Sequence, residues 1–180
     1  MAQSSPEKLR DVCRAAGTGD IETVNAWLRT APDVNAEDED GRTLLYLAAC
    51  GKINAPKVDL ARRLLDLGAD VNTMNSSNET VLHCASCGRG PQASEMVRLL
   101  LLAGADVNAR TRYGGVTPMG YFPVYARSYV IENDDVPINQ RAPRGGLLVI
   151  CKLLLHAGAS IDDVVEPTDW APDPSMEAWL

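Results

Sequence analysis

Arg98-Leu99-Leu100-Leu101-Leu102-Ala103-Gly104-Ala105-Asp106-Val107-Asn108 carries, in order, an apolar run, a glycine and a polar turn. Leucines with partners three and four positions on line one stripe of a helix. Gly104 stands where a helix end calls for a left-handed residue, a conformation glycine reaches with least strain. The same order recurs on both sides. Upstream is Leu64-Leu65-Asp66-Leu67-Gly68-Ala69-Asp70-Val71-Asn72, and downstream is Leu153-Leu154-Leu155-His156-Ala157-Gly158-Ala159 with the weaker turn Ser160-Ile161-Asp162. A first copy, Trp27 to Pro32 followed by Asp33-Val34-Asn35, lacks the glycine. Self-similarity of this kind marks a solenoid, in which each unit buries its apolar face only against its neighbours.

Thr43, Thr80 and Thr117 follow Asn35, Asn72 and Asn108 by eight or nine positions. A threonine after a turn is a helix N-cap candidate, its hydroxyl taking a backbone N–H that the first helical turn leaves unpaired. Small pairs such as Ala48-Ala49 let two helices approach closely. Each unit therefore reads as turn, helix, loop, helix, turn.

The pattern resembles the ankyrin repeat over roughly Pro6 to Asp162. Gly41-Arg42-Thr43-Leu44-Leu45-Tyr46-Leu47-Ala48-Ala49, Thr80-Val81-Leu82-His83-Cys84-Ala85 and Thr117-Pro118-Met119 carry the resemblance at the start of three units, and Arg98 to Asn108 at the end of one. It implies an all-α solenoid of stacked antiparallel helix pairs with projecting hairpin-like turns. The expected repeats are 5–35, 36–72, 73–108 and 109–162, with 163–180 either a C-terminal cap or the start of a further repeat. Ser5 and Pro6 suit an N-cap and first helical position. Three stretches exceed the usual spacing, because Asn35 to Asn72 is 37 positions, Asn72 to Asn108 is 36 and Asn108 to Asp162 is 54. The surplus falls between paired helices, at Gly51–Pro56, Cys87–Ala93 and Ser128–Arg144, as loops that leave the stack intact. Pro123 is expected to shorten or kink the first helix of the fourth unit.

Composition agrees with a helical stack. The 180 residues are 46% hydrophobic and 23% charged, but only 5% aromatic with a single Phe, so the core must be Leu, Ala, Val and Ile. A net charge of -7 argues against nucleic acid and anionic lipid as partners, since both need clustered Lys and Arg. No apolar run reaches the roughly 18 residues of a membrane helix, and Met1 to Arg10 has no apolar signal core. A soluble chain of the cytoplasm or nucleus is expected, a monomer, with its five cysteines kept as thiols.

No catalytic, cofactor or metal site is expected. His83 with Cys84-Ala85-Ser86-Cys87 offers zinc-type ligands, yet no second Cys-x-x-Cys completes a tetrahedral set, and a structural or surface role fits better. His156 suits a helix C-terminus. Gly88-Arg89-Gly90 and Gly145-Gly146 lack the Lys-Ser/Thr ending of a phosphate loop. Glu37-Asp38-Glu39-Asp40 lacks the alternating spacing of a calcium loop and reads as a solvated turn.

The resemblance implies protein–protein recognition by turn tips and first-helix residues on the concave face. Carried over position by position, the contact set is Glu37, Glu39, Asp40, Arg42 and Cys50, then Met74, Ser76, Ser77, Glu79 and Cys87, then Arg110, Arg112, Tyr113 and Val116. The turns run from acidic through neutral to basic and aromatic, and Tyr113 with two arginines has the residue types of binding hot spots. The resemblance also makes Asn72 and Asn108 candidate asparagine-hydroxylation sites. An adaptor or host-targeting effector, recruiting or inhibiting a signalling or ubiquitin-ligase component, is the alternative reading.

Overall fold

The computed structural model describes residues 6–30, 33–50, 56–88, 91–121 and 144–160. Ser5, Pro123, most of the 128–145 insertion and the stretch 163–180 lie outside them. Seven helices occur in the described residues: α1 Pro6–Thr18, α2 Ile21–Leu28, α3 Leu44–Ala49, α4 Val58–Asp66, α5 Val81–Ser86, α6 Pro91–Leu102 and α7 Arg144–His156.

Their ends have local causes. Thr43 begins α3, its hydroxyl accepting the Tyr46 N–H at 3.3 Å; the Thr117 hydroxyl accepts the Gly120 N–H at 3.2 Å in the turn that closes the third unit-start motif. Asp20 begins α2 by accepting the Thr23 N–H at 3.1 Å. The stops of α4, α6 and α7 are one motif made three times. Gly68, Gly104 and Gly158 sit at φ of 88°, 88° and 94°. Each following alanine donates back to the leucine five positions earlier, Ala69 to Leu64, Ala105 to Leu100 and Ala159 to Leu154, all at 3.0 Å.

Those same three leucines are fully buried. The helices pair as α1–α2, α3–α4 and α5–α6, the first helices stack as α1–α3–α5, and the second as α4–α6–α7. Leu44, Leu45, Leu60, Leu82, Met96 and Ile150 fill the space between, with Ala48, Ala49, Ala61, Ala85 and Ala93 where helices approach most closely. The 98–108 stripe turns inward at Leu100, while Leu102 at its end is 81% exposed.

The Asp-Val-Asn turn has a division of labour. Asp33, Asp70 and Asp106 each accept the N–H of the asparagine two positions on, at 2.8–2.9 Å. The asparagines reach the next unit: Asn35 Oδ1 accepts the Asp70 N–H at 2.8 Å, and Asn72 Oδ1 the Asp106 N–H at 2.9 Å. Asn72 also donates to the Gly104 carbonyl at 3.1 Å, and Asn108 to the Gly158 carbonyl at 3.4 Å. The last bond spans 50 positions of sequence, so α7 docks as the next second helix despite the insertion.

One expectation is corrected. Cys50 and Cys84 form a disulfide, with Cα atoms 5.3 Å apart. Stacking of α3 on α5 brings the end of one helix against the middle of the next, a proximity that an odd cysteine count conceals. Cys13 is a buried thiol, pushed up to about 11 by burial and then by Asp38. No helix among the described residues is long and apolar enough to cross a membrane.

Candidate partner-binding site

Three hairpin-like fingers project from the stack, at 36–43, 73–80 and 109–117. Each is closed by one polar side chain accepting from the opposite arm. Asp38 Oδ1 takes the Arg42 N–H, Asn75 Oδ1 the Glu79 N–H, both at 2.9 Å, and Thr111 Oγ1 the Val116 N–H at 3.0 Å. Matching backbone bonds run from Asp38, Asn75 and Thr111 N–H to the Arg42, Glu79 and Val116 carbonyls, each at 3.0 Å. The third finger accommodates its extra residue within 112–115, where Gly114 and Gly115 both have positive φ.

The fingers are also tied to one another. Ser76 N–H donates to the Asp40 carbonyl and Arg112 N–H to the Ser77 carbonyl, both at 2.9 Å. Gly41, at φ 73°, is required here twice over, because a Cβ would stand 3.2 Å from Ser76 N. The result is a continuous rim whose backbone is set before any partner arrives.

Behind the rim, His83 fastens the helix that follows the second finger to the third finger. Its Nδ1 accepts the Thr80 N–H at 3.1 Å, leaving Nε2 protonated to donate to the Val116 carbonyl at 3.0 Å. The ring meets Tyr121 edge-on at 5.4 Å. Burial is the main cause that lowers the His83 pKa. With the folded value below the unfolded one near 6.5, the unfolded chain takes up the proton first, so this contribution is present at neutral pH and is lost on acidification. The urea midpoint is therefore expected to fall as pH drops below about 6.5, and to fall less in His83→Gln. An identical pH profile in both proteins would contradict this.

Glu79 lies half-buried at a hub between units. Its Oε2 accepts the Tyr46 hydroxyl at 3.0 Å and the Asn75 amide at 2.9 Å, and its Oε1 accepts the Tyr121 hydroxyl. Burial first, and Glu79 second, hold the Tyr46 hydroxyl well above the ordinary phenol range.

The contact residues expected from sequence thus separate into groups. Glu37, Glu39, Asp40, Met74, Ser76, Arg110, Arg112 and Tyr113 are exposed on the fingers. Arg42 is half-buried, bonded to Asp38 at 2.9 Å and Asp40 at 2.7 Å, while Glu39 meets Arg10 at 2.6 Å. Two arginines thus face the four carboxylates of this finger, which stays net acidic. Ser77 and Glu79 are half-buried. Val116 is a correction: its side chain is only 7% exposed, and its backbone serves Thr111 and His83, so it offers no surface. Cys50 is occupied by the disulfide, and the Cys87 thiol donates to the His83 carbonyl at 3.4 Å.

Sequence reading did not single out Tyr46 and Tyr121, whose hydroxyls both bond Glu79 behind the fingers. The signal was their place three and four positions after Thr43 and Thr117. Among the described residues no group of His, Cys, Asp and Glu could hold a metal ion.

Helix pairs stacked in order, fingers closed by a side-chain oxygen and a histidine three positions into a first helix define a helical repeat protein. Residues 12–111 match the family model of ankyrin repeats (3 copies), and the chain belongs to that family. Ankyrin repeats are generally protein–protein interaction modules and typically non-catalytic. A stretch of 59 residues is 36% identical to the L-asparaginase of Dirofilaria immitis, covering 33% of this chain and 9% of that protein. So small a share of that enzyme carries no activity over to this chain.

Proposed function

We propose that this chain holds a partner protein across its finger tips and the adjoining first helices, without catalysis. The observation that carries the reading is the pair of tip-to-tip bonds, Asp40 to Ser76 and Ser77 to Arg112. They fix three fingers as one surface, and preorganisation lowers the ordering cost of association. On that surface stand Met74, 45% exposed, on the second finger and Tyr113, 57% exposed, beside Arg112 on the third. Aromatic residues, Met and Arg are the types enriched at interfaces. The net charge of -7 favours a protein over nucleic acid or an anionic membrane as partner.

The test is affinity capture from extracts of the native cell, using wild type and a Tyr113→Ala, Arg112→Glu double variant. Both side chains project into solvent, so the variant is expected to melt with wild type. Its captured protein is expected to drop by roughly tenfold or more, as for loss of a hot spot. Equal capture of the same proteins by both would reject the finger surface.

A further inference from the structure

We infer that the third finger recognises an acidic residue of the partner flanked by an apolar one, on a short extended segment lying along the rim. The inference rests on the finger-surface reading above and narrows its chemistry.

The charges of the three fingers are not equivalent. On the first, Arg42 pairs with both Asp38 and Asp40, and Arg10 meets Glu39, so two positive charges face four carboxylates. On the second, Glu79 faces inward to Tyr46, Tyr121 and Asn75. On the third, the Arg110 guanidinium donates to the Gly115 carbonyl at 2.9 Å and lies over its own turn. Arg112 differs from all of these. Its side chain is exposed and has no hydrogen-bond or ion-pair partner among the described residues, while its backbone N–H is anchored on Ser77. A guanidinium carried from a fixed point is suited to bidentate capture of a carboxylate.

Apolar surface adjoins it. Tyr113 follows Arg112 directly, and Met74 stands on the preceding finger at the register position of Arg110. The Tyr113 carbonyl accepts the Thr111 hydroxyl at 2.9 Å, which holds that turn in place. The residue beside a carboxylate held by Arg112 thus has exposed tyrosine and methionine on these two fingers to meet. Glu37, exposed on the first finger, repels a second carboxylate there, so the acidic end of the segment belongs at the third finger.

The experiment selects binders to the full chain from a displayed library of random short peptides. Enrichment of Asp and Glu beside an apolar residue is expected among the selected sequences. Binding should fall about tenfold in Arg112→Glu and return when the acidic position of the peptide is changed to Lys. Selected peptides without acidic enrichment, or binding indifferent to Arg112→Glu, would overturn the inference while the capture experiment above still stands on its own result. A single-stranded oligonucleotide that binds through Arg112 where acidic peptides do not would overturn it too. Failure to select any peptide would overturn the inference as well, while the finger-surface reading is decided by the capture experiment.

Discussion

Leu100→Ala is expected to lower folding stability by about 2–5 kcal/mol, because it removes a fully buried leucine from a site that cannot collapse. Leu100 lies on α6, which packs against α4, α5 and α7. In a stack stabilised by nearest-neighbour contacts, damage to an internal unit weakens the coupling on both sides of it. Leu102, two positions on and 81% exposed, supplies the control: Leu102→Ala should stay within the range of an ordinary surface change. Urea unfolding followed by circular dichroism reads both. Equal, small shifts for the two variants would mean that the stripe does not face the core.

Reduction of the Cys50–Cys84 bond is expected to cost a comparable amount, about 3–4 kcal/mol, from the entropy regained by an unfolded chain whose closed loop spans 34 positions. The bond joins two first helices, so its loss should destabilise the finger-bearing side of the stack. Unfolding with and without a dithiol reductant measures the difference, and Cys50→Ser in oxidising buffer should reproduce it. Cys13 does not complicate the exchange, since a thiol held at about 11 carries almost no thiolate at neutral pH. A midpoint unmoved by reductant would show that the bridge contributes nothing to the folded state.

Much of the architecture was legible because each repeated residue answers a local demand that every unit shares. Gly68, Gly104 and Gly158 take the left-handed stop, Thr43 caps a helix, and the asparagines couple neighbouring turns. Periodicity reports a position within a unit. It does not report which side chain of the next unit stands opposite.

The misses follow from that difference. Cys50 comes seven positions after Thr43 and Cys84 four after Thr80, so their pairing depends on how α3 slides along α5. Val116 occupies the register of Arg42 and Glu79, yet its apolar side chain turns inward where theirs meet polar partners. The pairing of Arg42 and Arg10 with three of the first finger's four carboxylates was equally hidden, although the finger keeps its acidic excess. Arg112 and Tyr113, by contrast, were exposed candidates in the sequence and are exposed in the structure.

The central claim is that the partner meets the fingers and not the outer helices. Hydrogen–deuterium exchange of the chain, free and with its captured partner, tests it most directly. Slowed exchange is expected at the tips of the three fingers, with α4 and α6 unchanged in their outward faces. Protection concentrated along α4 and α6, with the finger tips exchanging as in the free chain, would contradict it.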